Sequence, residues 1–255
     1  MNSEYINKYM LITLINGSHH GDWCWNNYKD YLKNMGQYEI ICYELLGHGK
    51  KRDLKNKKYR IDEYAKDLYI FLKTKKNNNI IAHSLGCLIM YHCLIYYFKD
   101  DDINNYVNSI IFLAPGIGVS NINIPLRITY NLLSLGTFGN KKEDIRYSLF
   151  SEYTDENVII ECQKKLEKDN HTDLVDVFIR SFFYKEITFP ILFIYGKYDK
   201  ICSPNSISNI SHLFKEYQYK LFDSGHNLML EYNWKDILEY IINYIDIKNE
   251  KKHNI

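Results

Sequence analysis

Three side chains able to act as nucleophile, base and orienting acid stand just past three short apolar runs. In Asn79-Ile80-Ile81-Ala82-His83-Ser84-Leu85-Gly86-Cys87 an apolar run leads into Ser84, with the small residues Ala82 and Gly86 two positions to either side. A helix-like apolar pattern follows at once. Strand, sharp turn and helix is the setting that holds a serine in a strained conformation with its hydroxyl presented, and bulky neighbours at those two positions would clash. The start of the helix also aims N–H groups and the positive end of its dipole at the reacting centre. A serine hydroxyl attacks a carbonyl only with a base to take its proton and an acid to orient that base. Phe189-Pro190-Ile191-Leu192-Phe193-Ile194-Tyr195-Gly196-Lys197-Tyr198-Asp199 puts Asp199 in the loop after one run, and Leu221-Phe222-Asp223-Ser224-Gly225-His226 puts His226 after another. Asp223, three residues before His226, is the alternative acid; it falls at the strand end and is expected to face away.

An acyl-transfer site also needs N–H donors for the oxyanion. The loop Asn16-Gly17-Ser18-His19-His20-Gly21-Asp22-Trp23 follows the first apolar run, so the N–H of Ser18 is the expected donor, with that of Leu85 as its partner. His19 and His20 are read as shaping the loop or lining the pocket, with His19 a candidate substrate contact. His83 is expected to pack under the turn, His48 to belong to a structural turn, and His92, His171 and His212 to be ordinary surface or partly buried residues. Cys87 opens a helix and reads as a small core residue, not as a second nucleophile.

These residues need a frame that brings chain-distant loops together. Met10–Ile15, Tyr38–Tyr43, Ile80–Ala82, Ser109–Leu113, Ile191–Tyr195 and Tyr219–Phe222 have the length and the β-branched, aromatic content of buried parallel strands. Between them Asn26–Asn34, Ile61–Lys73, Leu85–Phe98, Asn205–Lys215 and Trp234–Ile245 read as helices. In the second of these, Ile61, Tyr64, Ala65, Leu68 and Leu72 recur at helical spacing. The alternation predicts a mostly parallel sheet of about six strands with helices on both faces. All strands of a parallel sheet end on one edge, so Ser84, Asp199 and His226 can meet there.

The segment 116–185 breaks the pattern. It offers no convincing strand, only helix-like pieces near Pro125–Leu135, Lys142–Phe150, Glu156–Lys168 and Thr172–Phe183, the third capped by Thr154-Asp155-Glu156. It is expected to be a helical lid at the edge where such sheets bind ligands, inserted into a core made of 1–115 and 186–255. Phe138 and Phe150 are its candidate substrate contacts, with Phe182 and Phe183 as further wall residues. The tail Lys248–Ile255 is charged and expected to fray.

At this point the chain resembles the α/β-hydrolase superfamily, in its compact esterase and lipase-like branch. Asn16 to Trp25 looks like that family's HG-x-x-x-G-x-W-x-W oxyanion loop, found in plant methylesterase and hydroxynitrile-lyase relatives and in many bacterial hydrolases. Glu44-Leu45-Leu46-Gly47-His48-Gly49-Lys50 looks like its D-x-P-G-H-G-x-S turn, His83-Ser84-Leu85-Gly86 like its nucleophile turn, Gly196 to Pro204 like its acid loop, and Gly225 to Glu231 like its histidine loop. The order Ser, Asp, His is the family's order. The resemblance spans about residues 10 to 245. Asn16 stands in place of the usual His, Glu44 and Leu46 replace the usual Asp and Pro, and the strands that lead the sheet in larger members have no counterpart before residue 10. The resemblance implies a Ser84–His226–Asp199 relay, an acyl-enzyme intermediate, and no metal or organic cofactor. The expected substrate is a carboxylic ester, a small apolar ester or a lysolipid. Thioester, amide, hydroxynitrile or carbon–carbon cleavage, or a non-catalytic binding protein, are the alternatives. A serine nucleophile argues against the dehalogenase and epoxide-hydrolase relatives, which use Asp there.

Composition agrees with a globular chain. Hydrophobic residues are 46% and charged residues 25% of 255, an ordinary balance. Lys plus Arg is 32 against 31 for Asp plus Glu, so no electrostatic footprint marks nucleic acid or an anionic membrane as partner. No apolar run reaches the roughly 18 residues of a membrane span. Residues 1–9 lack the apolar core of a signal peptide. The six cysteines include no C-x-x-C pair and no zinc-like spacing, which points to reduced thiols and a cytoplasmic setting. Oligomeric state is left open.

Overall fold

The computed structural model describes residues 9–51, 59–98, 103–118, 142–167 and 186–253. Six strands, β1 (Met10–Ile15), β2 (Tyr38–Tyr43), β3 (Asn78–His83), β4 (Val107–Leu113), β5 (Ile191–Gly196) and β6 (Tyr217–Phe222), form one sheet in the order β2-β1-β3-β4-β5-β6. Every pair is parallel. β3 and β5 are buried along their whole length, as strands covered on both faces are.

The helices are α1 (Asn26–Met35), α2 (Ile61–Lys73), α3 (Leu85–Tyr96), α4 (Lys142–Leu149), α5 (Glu156–Lys165), α6 (Ile207–Ile210) and α7 (Trp234–His253). Strand alternation splits the core in two. Ile80, Ala82, Ile110, Phe112, Ile191 and Phe193 face α2 and α3. Ile12, Leu14, Ile81, Ile111, Leu192 and Ile194 face α1 and α7. Helix α3 is apolar on all sides because it lies between the sheet and α2, and its residues Leu85 to Leu94 are all buried.

Two expectations change. The single helix expected over Asn205–Lys215 is three short turns, because Ser203 and Ser208 bond the local backbone at Asn205 and compete with helix propagation. The tail does not fray at Lys248: α7 runs to His253. Asn249 anchors it, donating to Asn79 Oδ1 at 3.4 Å and to the Ile245 carbonyl, and accepting from Asn108 Nδ2 at 2.7 Å.

Of the helical pieces expected in 116–185, two form as α4 and α5, the second ending at Lys165, where Leu166 turns to extended backbone, short of the expected Lys168; Pro125–Leu135 and Thr172–Phe183 lie outside the described residues. Helices α4 and α5 pack on each other through Ile145, Leu149, Phe150, Ile159 and Cys162, and this small core reaches Trp23, Ile201 and Leu230 in loops at the C-terminal edge of the sheet. Among the described residues no helix is long and apolar enough to cross a membrane.

Candidate active site

Ser84 occupies the turn between β3 and α3 with φ 50° and ψ −111°, a left-handed backbone conformation that a residue with a side chain adopts only at a cost. The surroundings hold it there. Its N–H donates to the Leu113 carbonyl at 2.9 Å, and its own carbonyl accepts from the N–H groups of Cys87 and Gly116. The smallness of residue 86 has a direct cause: a Cβ on Gly86 would stand 2.7 Å from the Asn16 carbonyl oxygen and 2.9 Å from Ile15 Cγ2. The start of α3 is thus jammed against the end of β1, which brings the first loop beside the serine.

The three chain-distant side chains meet. Ser84 Oγ lies 3.0 Å from His226 Nε2, and His226 Nδ1 lies 2.8 Å from Asp199 Oδ2. Asp199 Oδ1 accepts from the N–H groups of Ile201 at 2.7 Å and Cys202 at 2.8 Å, so the carboxylate is fixed in rotation and offers its second oxygen to the ring. A carboxylate only accepts, which assigns the proton to Nδ1 and leaves the Nε2 lone pair facing the serine hydroxyl. Ser84, Asp199 and His226 are 8, 5 and 3% exposed. Asp223 faces outward and pairs with Lys197 at 3.2 Å.

The loop after β1 lies against this centre. A Cβ on Gly17 would fall 2.7 Å from His83 Nδ1 and 2.9 Å from Ser84 Cβ, so only glycine fits and Ser18 follows directly beside the Ser84 turn. Asn16 braces the loop by donating its amide to the carbonyls of Gly17 and His20. Leu85 is the first residue of α3 and has no carbonyl four residues back within the helix, which leaves its N–H for another acceptor. His19 sits at φ 62° and exchanges two hydrogen bonds with Glu167: its ring with that residue's carbonyl at 2.8 Å, its carbonyl with that N–H at 2.9 Å. His20 stacks on Trp23 and stands edge-on to His83.

His83 is fully buried beneath the turn and donates from Nε2 to the His226 carbonyl at 3.0 Å. Burial, with the His226 and His20 rings close by, holds it well below the ordinary histidine range, so it is neutral and its donor role is steady. His48 lies in the turn after β2, with its ring on the Leu46 carbonyl. His92 is buried against Tyr91 and Tyr96, and burial lowers it to about 4. The Cys87 thiol points to the Ala82 carbonyl, and burial pushes it well up, away from thiolate chemistry.

Phe150 is buried in the small core of α4 and α5, and its backbone lies against Gly225, one residue from His226. Phe138, Phe182 and Phe183 lie outside the described residues, as does His171. Two features at the site were not singled out from the sequence. Glu231, fully buried, accepts from the N–H and hydroxyl of Ser151, from Thr154 Oγ1 and from the Gly225 N–H. It ties the histidine loop to the connection between α4 and α5. Cys202 closes the Asp199 loop, its N–H on Asp199 Oδ1 and its thiol within 4.8 Å of the Asp199 and His226 donor atoms. Its distance of three residues from Asp199 was the available signal.

The comparisons with known proteins agree with this architecture. Residues 15–130 match the family model described as the alpha/beta hydrolase fold. No curated protein matches the sequence. Solved structures resemble the chain over most of both lengths. An esterase from Exiguobacterium antarcticum superposes with a TM-score of 0.75 at 15% identity, over 94% of this chain and 93% of its own. A serine hydrolase from Cycloclasticus zankles gives 0.73 at 16%, over 94% and 90%. A monoacylglycerol lipase from Paleococcus ferrophilus gives 0.65 at 15%, over 93% and 94%. With six parallel strands in this order, a serine turn between β3 and α3, and the family-model match across that turn, the chain has the α/β-hydrolase fold.

Proposed function

We propose that this protein is a serine hydrolase of carboxylic esters. The observation that carries the reading is the hydrogen-bonded line Ser84–His226–Asp199, built on a strained serine turn. His226 Nε2 takes the Ser84 proton as Oγ attacks the ester carbonyl. Asp199 holds the tautomer and stabilises the imidazolium. The N–H groups of Ser18 and Leu85 receive the developing oxyanion. The protonated His226 then gives its proton to the leaving alcohol. Water, deprotonated by the same ring, releases the acid from Ser84.

The substrate class we infer is a small apolar ester or a lysolipid. The apolar cluster of Phe150, Ile201, Leu230 and Trp23 beside the histidine loop supports it, and several structural relatives bear the names esterase or lipase. Helices α4 and α5 are the described part of a lid in this reading: Leu149 of α4 bonds to the loop carrying His226, and Glu167, just past α5, bonds to His19. Six free thiols favour a reducing compartment such as the cytoplasm.

Hydrolysis of p-nitrophenyl esters of rising acyl length, by wild type and Ser84→Ala side by side, tests the reading. Turnover by wild type alone is expected, with the preferred chain length sizing the acyl pocket. Equal silence of both proteins over the series removes the ester-hydrolase reading and brings a binding role forward.

A further inference from the structure

The proposed reaction leaves one capable side chain at the centre without a task. Cys202 is 2% exposed, and its thiol lies among the donor atoms of Asp199 and His226. Among the described residues, Asp199, Cys202 and His226 make the one group of three His, Cys, Asp or Glu residues whose donor atoms gather together, all within 4.8 Å of one another. Zinc bonds of about 2.0–2.3 Å in a tetrahedron set ligand atoms about 3.3–3.8 Å apart, so side-chain shifts of about an ångström close these donors on one ion.

We propose that Asp199, Cys202 and His226 form a buried binding site for a thiophilic divalent cation of the zinc class, and that its occupancy switches hydrolysis off. The switch rests on the hydrolase reading above; the site itself does not. Thiolate, imidazole and carboxylate are the mixed donor set that selects such ions over magnesium or calcium. The frame is already rigid, because the Ile201 and Cys202 N–H groups clamp Asp199 Oδ1 and so fix the turn that carries the thiol. The charge is right as well. Asp199 is buried, and its ion-pair partner among the described residues is His226 rather than a lysine or arginine, so a cation would neutralise a carboxylate taken out of water.

Inhibition follows whichever ring nitrogen binds. Coordination through Nε2 removes the lone pair that faces Ser84. Coordination through Nδ1 moves the ring proton to Nε2, and Nε2 can then no longer accept from the serine. In both cases the thiol proton leaves to water as the sulfur binds. The fourth position falls to water or to the Ser84 hydroxyl.

Cadmium supplies a readout independent of activity, the cadmium–thiolate charge-transfer band in an ultraviolet difference spectrum. Wild type is expected to develop the band at one equivalent and lose it to added zinc. Cys202→Ala and Cys202→Ser, both folded by circular dichroism, are expected to lack that equivalent. No band, or the same band in the variants, overturns the site. For the switch, ester hydrolysis is followed against zinc, with each protein normalised to its own chelator-treated rate. A half-inhibiting concentration at least about tenfold higher in the variants is expected, in line with losing one ligand, and chelation is expected to restore wild type. Equal zinc sensitivity overturns the switch. A chain that hydrolyses no ester yet gives the Cys202-dependent band keeps the site and sinks the hydrolase reading, so the two failures are distinguishable.

Discussion

Asp199 and Asp223 are the same side chain at the ends of neighbouring strands, and their surroundings give them different work. Asp199 is buried, held by two backbone N–H groups and aimed at His226. Asp223 stands in solvent against Lys197, where a surface pair contributes little. Asp199→Asn presents an amide to Nδ1 and favours the wrong tautomer. We expect kcat to fall by about 10⁴-fold with the fold retained, while Asp223→Asn keeps the wild-type rate. Steady-state kinetics on one p-nitrophenyl ester, with circular dichroism as the control, checks both; equal losses would contradict the assignment. Asp199 could be read from Gly196-x-x-Asp at the end of an apolar run, because the loop is local to the strand. The task of Glu231 could not be read. Its partners Ser151 and Thr154 lie about eighty residues earlier, and only the folded insertion brings them to it.

The elements position these residues through close contacts that single atoms would upset. Gly86→Ala adds a methyl 2.7 Å from the Asn16 carbonyl oxygen, so α3 must move off β1. A destabilisation of about 1–3 kcal/mol is expected from such overpacking, read from urea denaturation; an unchanged midpoint would mean that the contact is softer than described. Glu231→Gln replaces an acceptor of four hydrogen bonds with a group that also donates, next to the Gly225 N–H. The histidine loop should shift. A misplacement of about an ångström costs about 10²-fold in rate, so kcat should drop while KM holds, and Glu231→Asp should restore part of it. Loss in KM alone would place Glu231 with the substrate instead. The strands and most helices were legible because apolar period and length are local properties. The turns after Pro204 and the full length of α7 were not, since Ser203, Ser208 and Asn249 act through hydrogen bonds that composition does not reveal.

For the whole molecule, two buried histidines couple stability to pH. His83 and His92 both bind protons less readily folded than unfolded, His92 at about 4, through burial. Below the unfolded value of about 6.5 the unfolded chain takes up protons that the folded chain refuses. The stability they contribute is therefore complete above about pH 6.5 and lost as pH falls, by up to about 1.4 kcal/mol per pH unit for each group. Denaturation midpoints between pH 8 and pH 5, roughly the histidine range, should fall, and His92→Gln should flatten the slope; a slope that His92→Gln leaves unchanged would contradict the burial argument. The most direct test of the central claim is labelling with a fluorophosphonate followed by peptide mass mapping. One adduct per chain is expected, on the peptide that carries Ser84, and His226→Ala should abolish it. No adduct on the wild-type protein, or an adduct at another residue, would contradict Ser84 as an activated nucleophile.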